Sequence, residues 1–559
     1  MKRKIKIISI ILLILAVFYL FFSNNTNKSS NDNENTAAAV NDVSQNTQKI
    51  NFSEIINMTK WRYNKQNHVY YQLEIPYCSK PNAPEYQKLA VFVPEKYMRC
   101  TANEDNLTYS CERNMVAIVG NYSIRNAPIV MPIETPEYSA AKALTEYRDV
   151  SAYTDAGYVY VHAGCRGKEH GAPACVTDLK AAIRFIKSNN GIIAGNVEKI
   201  FVFGMGEGGG LAAVLGTSGD STLYKPYLDE IGALSDVSDK IFGVMTWSPI
   251  TNLDTANIAY EWNMGVWRTN MNDKQKKMSS AMAKAYAEYI NKAGFILHGR
   301  EALFLQHSKD GLYQNGTYYD FVKEQIEKSL TTFMVNTAFP HKVEKEIKLP
   351  VSAVQKPEIT LYGMYSSAEN YNAALNQKRQ WVNINTYWNN SEIRSIADFV
   401  RSFKPAARNI GAFDNFNRDS NENILFAVED GKPRHFDSYI ERILQNTAKG
   451  SEYSTDLAVR DKHGYSVKQR LNMYTPMYYL LPSSAGYRSA KVAPFWRIRS
   501  GIQQTETALT TEINLWLALQ QYPSVYDTDF ALVWESAHEM AEEKDDAVNS
   551  FIKWVDKSF

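Results

Sequence analysis

The chain has 559 residues, which predicts either one large domain with an insertion or two to three domains. Its 61 Lys and Arg residues balance 60 Asp and Glu residues, so no basic surplus exists to neutralise phosphates and no nucleic-acid partner is expected. Hydrophobic residues make up 45% of the chain and charged residues 22%, which is typical of a globular protein.

The first 23 residues are typical of a targeting segment. Four basic residues among the first six precede an apolar run over residues 7–22. No A-x-A cleavage site directly follows, so we interpret residues 1–23 as a signal anchor, with a cleaved signal peptide and a secreted chain as the alternative. The basic end stays in the cytoplasm, which makes the membrane a partner and leaves the remaining chain outside the cytoplasm. Residues 24–52, rich in Asn, Ser and Thr, predict a disordered linker.

The five cysteines suit an exported chain. Cys100 and Cys111 flank one polar loop, and Cys165 and Cys175 flank a second short segment, so each pair is a candidate disulfide. Cys78 is then left over, and the sequence does not fix the connectivity. The chain contains neither a C-x-x-C nor an H-E-x-x-H motif, so no metal and no cofactor are expected.

From residue 65 onwards, strand-like and helix-like segments alternate, which indicates a mostly parallel sheet with helices on both faces. A helix with one apolar face is predicted over residues 176–189, and a helix of small residues is predicted to open after the glycines near residue 206. Residues 53–266 are therefore interpreted as the first part of an α/β core. Its strand-like runs cover residues 89–94, 115–120, 158–164, 200–204 and 240–249.

The pattern changes over residues 267–465, which are richer in Lys, Asn and Tyr and contain few strand-like runs. We interpret this part as a large inserted lid. Residues 466–559 return to the alternation and predict the second part of the core. Their strands cover residues 495–501 and 529–534, and their helices cover residues 507–521 and 546–555.

The stretch IFVFGMGEGGG, residues 200–210, admits two interpretations. Gly204, Gly206 and Gly209 match the dinucleotide fingerprint G-x-G-x-x-G, which also needs an acidic residue after a second strand about 20 residues later. Asp229 lies near that distance, but no strand leads into it, so the context argues against a nucleotide site. The same letters match G-x-S-x-G, the nucleophile elbow of serine hydrolases, with glycine at the serine position.

A nucleophile elbow requires an acid and then a histidine, each directly after a late strand. Glu506 follows the predicted strand over residues 495–501, and His538 follows the predicted strand over residues 529–534. Gln504 is a second, less favoured register for the acid. The chain therefore carries the order of a hydrolase triad, but with no nucleophilic side chain at its first position.

Several long blocks resemble the bacterial tannase and feruloyl-esterase-like branch of the α/β-hydrolases. They include GCRGKEHGAPACVTDLKAAIRFIKSN, FGMGEGGGLAAVLGTSGDSTLYKPYL, SPITNLDTANIAYEWNMG, RLNMYTPMYYLLP, WRIRSGIQQTETALTTEINLWLAL and WESAHEMAE. The resemblance covers about residues 65–559, with the blocks in the expected order. It implies an α/β-hydrolase fold with a lid, and hydrolysis of esters of phenolic acids such as gallate or ferulate.

The resemblance also implies the roles of individual residues. The family's serine falls on Gly206, its acid on Glu506, where relatives usually have Asp, and its histidine on His538. Backbone N–H groups of Glu207 and of the turn around Cys165 and Arg166 are expected to form the oxyanion hole. Residues Tyr260, Glu261 and Trp262 are expected to face the substrate pocket, with helix packing as the equal alternative.

Glycine at position 206 provides no atom that can attack an ester. The expected function is therefore that of a tannase-like carboxylesterase whose activity is impaired or lost, a pseudoenzyme that binds a phenolic or ester small molecule. Two alternatives stay open: an active esterase that uses another nucleophile or water, and a non-catalytic binding or scaffold protein at the cell surface.

Overall fold

A computed structural model of the chain describes residues 52–297, 299–344, 346–347, 349, 353–385, 387 and 389–559. The predicted signal anchor and all but the last residue of the predicted linker lie outside these ranges. Every helix within the ranges is too short or too polar to cross a bilayer. Asn51–Phe559 forms one compact unit, so the predicted core and the predicted lid are packed together.

The centre of the molecule is a nine-stranded sheet with the order β1-β2-β3-β5-β4-β6-β7-β8-β9. The first three neighbouring pairs in this order, from β1 to β5, are antiparallel, and the following five pairs, from β5 to β9, are parallel. Its strands are β1 Arg62–Asn64, β2 Val69–Pro76, β3 Lys88–Pro94, β4 Ile129–Ile133, β5 Val159–Ala163, β6 Ile200–Met205, β7 Gly243–Trp247, β8 Phe495–Gly501 and β9 Asp527–Val533.

Helices cover both faces of this sheet, which explains why β4, β5 and β7 are buried along their whole length. The helices that precede β8 are α1 Ser151–Asp155, α2 Ala174–Ser188, α3 Gly206–Thr217, α4 Lys225–Glu230, α5 Ala256–Asn263, α6 Asp273–Ala293, α7 Thr317–Asn336, α8 Ala368–Leu375, α9 Ile396–Phe403, α10 Asn421–Leu425, α11 Ser438–Ile443, α12 Ala448–Ala458, α13 Val467–Met473 and α14 Pro476–Leu480. Helices α15 Leu509–Gln520 and α16 Ala547–Lys557 follow β8 and β9.

One predicted strand is wrong, and, besides β1 and β2 at one edge of the sheet, which were not predicted, one strand in the middle of the sheet was missed. Residues 115–120 form only the first half of a small surface hairpin, Ile118–Val119 paired with Tyr122–Ser123, because Val116 and Ile118 are exposed rather than buried. The missed strand is β4, whose run IVMPI contains Pro132, a residue that argues against a central strand in sequence patterns. β4 lies between β5 and β6, in the middle of the sheet.

The predicted lid, residues 267–465, contains none of the nine strands of the central sheet, within the part of it that the structure describes. Its longest helix, α6, begins with a capping box between Asn272 and Gln275 and ends at Gly294 in the left-handed region. Short hairpins complete this part: Ile296–Leu297 with Glu301–Ala302, His341–Val343 with Gly363–Tyr365, and Val382–Asn385 with Asn390–Ile393.

Two of the five cysteines are disulfide bonded. Cys100 and Cys111 lie opposite each other in the hairpin Met98–Ala102 and Tyr109–Arg113 and form a disulfide, as one candidate pairing predicted. Cys165 and Cys175, the second candidate pair, are buried free thiols with their sulfur atoms 3.3 Å apart. Cys78 is a third buried thiol.

Candidate active site

The sharp turn from β6 into α3 has the geometry of a nucleophile elbow. Gly206, its corner, has a φ of +57°, in the left-handed region that is strained for residues with a side chain. The glycines that follow allow close backbone approach: a Cβ on Gly208 would lie 2.2 Å from the carbonyl oxygen of Ile133, and one on Gly210 would lie 2.0 Å from that of Ile250. The glycine run thus packs the turn against β4 and the loop after β7, which explains it without a nucleotide.

His538 faces this corner from the loop that follows β9. A Cβ built on Gly206 would lie 2.9 Å from Nε2 and 3.4 Å from Cε1 of His538. The imidazole therefore occupies part of the space that a nucleophile side chain would need. Burial lowers the pKa of His538, and the nearby Arg408 and Lys404 lower it further, against an opposing effect of Glu506. The lowered pKa favours the neutral imidazole, which is the form that can accept a proton.

The predicted acid, Glu506, is not hydrogen bonded to His538. Its Oε2 accepts two hydrogen bonds from Arg408, at 2.6 Å from Nη2 and 3.1 Å from Nε. Among the described residues, Nδ1 of His538 has no hydrogen-bond partner although it is buried. A triad acid orients its histidine through that nitrogen, so the structure leaves this role unfilled.

The loop after β8, which lies beside the loop of His538, has two glutamine side chains near its start, Gln503 and Gln504, rather than a carboxylate. The backbone N–H of Gln503 donates to the carbonyl oxygen of Ser536, at 2.9 Å, which places the start of the loop alongside the residues before His538. Gln504, the alternative register, is fully buried and donates through Nε2 to the carboxylate of Glu512. Lys404 binds the same loop from the predicted lid, donating to the carbonyl oxygens of Gln504 and Thr507.

The backbone N–H groups of Cys165 and Arg166, the predicted oxyanion donors, already donate hydrogen bonds within the protein. The N–H of Cys165 donates to the carbonyl oxygen of Ala141, at 2.9 Å, and the N–H of Arg166 donates to Asp178 Oδ2, also at 2.9 Å. Arg166 also forms a buried ion pair with Asp178, so this turn is structural. The physical reason for the wrong assignment is the missed strand β4, whose exit loop reaches the elbow instead.

That exit loop, residues 134–138, lies where α/β-hydrolases place the second oxyanion donor, and Glu137 and Tyr138 both have positive φ values there. The expected donor at Glu207 directly follows the elbow corner, in the first turn of α3. Burial raises the pKa of Glu207 above the ordinary carboxyl value, and the backbone N–H groups of Glu207 and Glu137 lower it in part.

Two carboxylates lie within 4 Å of the guanidinium of Arg408, and the charge of Arg408 also lowers the pKa of His538. Arg408 contacts Glu506 and approaches Glu422 to 3.9 Å, and its guanidinium lies 4.7 Å from the ring centroid of Phe413. Burial raises the pKa of Glu422, and Arg408 lowers it. Arg408 also interacts with Glu207. The cluster carries more potential acids than bases, so protonated carboxyls and hydrogen-bond donors of a ligand are favoured there.

The three predicted substrate-binding residues are fully buried in packing roles. Tyr260 donates to the carbonyl oxygen of Thr505, at 3.0 Å, and its hydroxyl oxygen accepts from the N–H groups of Ala407 and Arg408. Glu261 forms an ion pair with Arg268, at 2.7 Å. The indole N–H of Trp262 donates to the carbonyl oxygen of Tyr313, at 3.2 Å. The helix-packing alternative thus describes their contacts.

Sequence reasoning missed the contributions of the predicted lid, above all Arg408, Glu422 and Lys404. The signal that was available is weak: Lys404 and Arg408 lie four residues apart in FKPAARN, and Glu422 lies in the polar stretch NRDSNEN, so no local pattern marks these residues. Residues 134–138 were missed together with β4.

The comparisons with known proteins agree with this fold. A family model described as BD-FAE matches residues 134–310. The solved structure of Fusobacterium nucleatum tannase is 23% identical, with a TM-score of 0.67, and the match covers 91% of this chain and 99% of that one. For the native tannin acyl hydrolase of Lactobacillus plantarum the identity is 23%, the TM-score 0.64 and the coverage 88% and 94%.

A tannin acyl hydrolase in complex with ethyl gallate is similarly close, at 24% identity and a TM-score of 0.63, over 88% of this chain and 94% of that one. No curated protein sequence matches this chain. The similarities confirm the predicted α/β-hydrolase fold and the predicted resemblance to the tannase and feruloyl-esterase-like family.

Proposed function

We propose that this chain, which has the fold of the bacterial tannases, binds esters of phenolic acids without hydrolysing them efficiently. The observation that carries the proposal is glycine at the elbow corner, with Nε2 of His538 directed at it. An ester cannot be attacked by a hydrogen atom, so no covalent acyl intermediate forms on position 206.

The unpartnered Nδ1 of His538 supports the same proposal independently. Loss of the nucleophilic serine alone in such sites lowers kcat by about 10⁶-fold, and the pocket and oxyanion hole of such sites retain about 10³–10⁴-fold catalysis over water. We therefore expect turnover too slow for an efficient esterase.

The ligand class follows from the cluster around Arg408. The partly exposed carboxylate of Glu506 can accept a hydrogen bond from a phenolic hydroxyl. Solved tannin acyl hydrolases are found in complex with 3,4-dihydroxybenzoate and with ethyl gallate. We extend that ligand class, hydroxylated benzoate esters, to this chain.

The test uses the full chain in detergent with methyl gallate and p-nitrophenyl acetate. We expect calorimetric binding of methyl gallate and a turnover rate that His538→Gln does not lower. We expect Gly206→Ser alone to remain slow, because the acid role is also unfilled. Robust turnover of the native chain that His538→Gln abolishes would contradict the proposal.

A second function, slow hydrolysis by water, is favoured by one observation. The pKa of His538 is lowered, which favours the neutral imidazole, the form that can accept a proton from a water molecule bound beside it. This function predicts slow turnover without a covalent acyl adduct, and loss of that turnover in His538→Gln. The same two assays separate it from pure binding.

For localisation we propose an exported domain held to the membrane by residues 1–23. The support is the basic and apolar pattern of that segment, together with a disulfide, which persists in oxidising compartments. Fractionation tests it: the full chain should remain in the membrane after alkaline carbonate extraction, and a chain lacking residues 1–23 should not. Release of the full chain by carbonate would contradict the anchor.

A further inference from the structure

The loop between β5 and α2 begins and ends with a thiol. Cys165 directly follows the turn after β5, and Cys175 lies in the first turn of α2. Both side chains are buried, and their sulfur atoms are 3.3 Å apart. We propose that Cys165 and Cys175 are a modification site, closing into a second disulfide in the exported protein.

Little movement is needed to form the bond. A disulfide has a sulfur–sulfur distance of about 2.05 Å, so each sulfur must approach the other by only about 0.6 Å. Cys175 already donates its S–H towards the sulfur of Cys165. No group of three His, Cys, Asp or Glu side chains that could hold a metal occurs among the described residues, so a structural metal does not compete for this pair.

The chemistry is a two-electron oxidation. Both S–H bonds break, one S–S bond forms, and two protons and two electrons leave. The electrons reduce the disulfide of a thiol–disulfide oxidant to two thiols by exchange through a mixed disulfide. The disulfide Cys100–Cys111 indicates that the folded chain meets an oxidant of this class. Because both thiols are buried in the finished fold, the bond forms while the loop is still closing.

The bond would fix a loop on which the predicted lid rests. Lys168 donates to Asn421 Oδ1, at 2.6 Å, and the N–H of Ala172 donates to the carbonyl oxygen of Leu425, at 2.6 Å. Both partners belong to α10, the helix that carries Glu422. Closing the loop covalently therefore restrains the helix that supplies one carboxylate of the Arg408 cluster.

The test is a count of alkylated cysteines. The full chain is unfolded and reduced, then refolded with oxidised glutathione until the Cys100–Cys111 peptide is completely linked. It is next denatured in iodoacetamide without reductant, digested and analysed by mass spectrometry. We expect one linked peptide pair joining Cys165 to Cys175, lighter by two hydrogen atoms than the two thiols, and alkylation of Cys78 alone. Alkylation of both Cys165 and Cys175, a glutathione adduct on either, or a link to Cys78 overturns the proposal.

Two variants give a matched comparison. Cys175→Ser should leave Cys165 open to alkylation, whereas Cys78→Ser, which removes another buried thiol, should leave the linked pair intact. If Cys175→Ser does not fold, the presence or absence of the linked Cys165–Cys175 peptide in the native chain still tests the proposal. A second readout is amide hydrogen exchange of residues 421–425, which should become faster when the oxidised chain is reduced; unchanged exchange would overturn the restraint on α10.

Discussion

The nucleophile position, Gly206, and the acid position, Glu506, differ from a hydrolase triad in opposite ways. At the elbow, the backbone corner and its histidine remain in place, and only the side chain of residue 206 is missing. At the acid end, a carboxylate is present at Glu506, but it pairs with Arg408 instead of His538. One end has lost an atom and kept its geometry, while the other has kept its chemical group and lost its orientation.

The two positions contribute differently to the free energy of folding. A glycine in the left-handed region relieves strain, so the loss at the elbow costs the fold nothing. The ion pair of Arg408 with Glu506 is half-buried, and Arg408 also lies 3.9 Å from the buried carboxylate of Glu422, so rearranging it affects stability as well as chemistry. Two kinds of experiment test this difference: restoring the missing side chains at both positions and measuring ester turnover, and substituting each position and measuring the free energy of unfolding.

The largest expected effect is catalytic. In a Gly206→Ser chain, adding Gln504→Asp should raise ester turnover by about 10³-fold, because a triad without its acid loses about 10⁴-fold in kcat. The matched control is Gly206→Ser with Gln504→Asn, which has the same size and no charge. Equal rates for the Asp and Asn variants would show that position 504 does not serve the histidine, and fast turnover of Gly206→Ser alone would assign that role to Glu506.

The next effect is on stability. Arg408→Met leaves the carboxylates of Glu422 and Glu506 without their cation, and we expect a loss of about 3 kcal/mol in the free energy of unfolding at pH 7. Arg408→Lys keeps the charge and should lose less. Denaturant midpoints measure both, and the loss should shrink at acid pH, where the carboxylates are protonated. A loss no larger than that of an ordinary surface substitution would contradict the assigned ion pair.

Gly206→Ala should cost about 1–2 kcal/mol, because an L-residue is strained in the left-handed region. Gly431→Ala is the matched control: its φ is +66°, close to the +57° of Gly206, but a Cβ there would meet nothing within 4 Å. The difference between the two denaturant midpoints isolates the contact with His538. Equal losses in the free energy of unfolding for the two variants would show that the imidazole of His538 makes room for the added methyl group at no cost.

The smallest effect concerns pH. Because the pKa of His538 is lowered in the folded chain, its contribution to stability is complete above the ordinary histidine pKa of about 6.5 and is lost as the pH falls through the folded value. His538→Gln should therefore flatten the pH dependence of the unfolding midpoint below pH 6.5. Superimposable profiles for the two chains would contradict the lowered pKa.

The sequence predicted the regular part of the molecule better than the site. Strand β8 was predicted with its observed bounds, and α2 within a few residues, because apolar spacing and burial agree there. β4 was missed because Pro132 interrupts its pattern, and the loop over residues 134–138 that follows it was missed for the same reason. The position of Gly206 opposite His538 followed from chain order in the hydrolase pattern.

The remaining site residues depend on contacts that no local pattern encodes. Arg408 reaches Glu506 across 98 residues, and Lys404 reaches the carbonyl oxygen of Thr507 across 103 residues. A single charged residue in the predicted lid has no spacing that reveals such a partner. Whether Glu506 pairs with a histidine or an arginine is decided by tertiary packing.

Engineers who wish to trim this chain to a minimal scaffold meet an obstacle in the short segment from Lys404 to Arg408. Excising residues 267–465 and rejoining the ends would strip the ammonium donor from the carbonyl oxygens of Gln504 and Thr507. Each orphaned carbonyl, if it stays dry, costs about 1–3 kcal/mol. A shortened version must therefore graft a replacement cation into the gap, or redesign the turn after β8 from scratch.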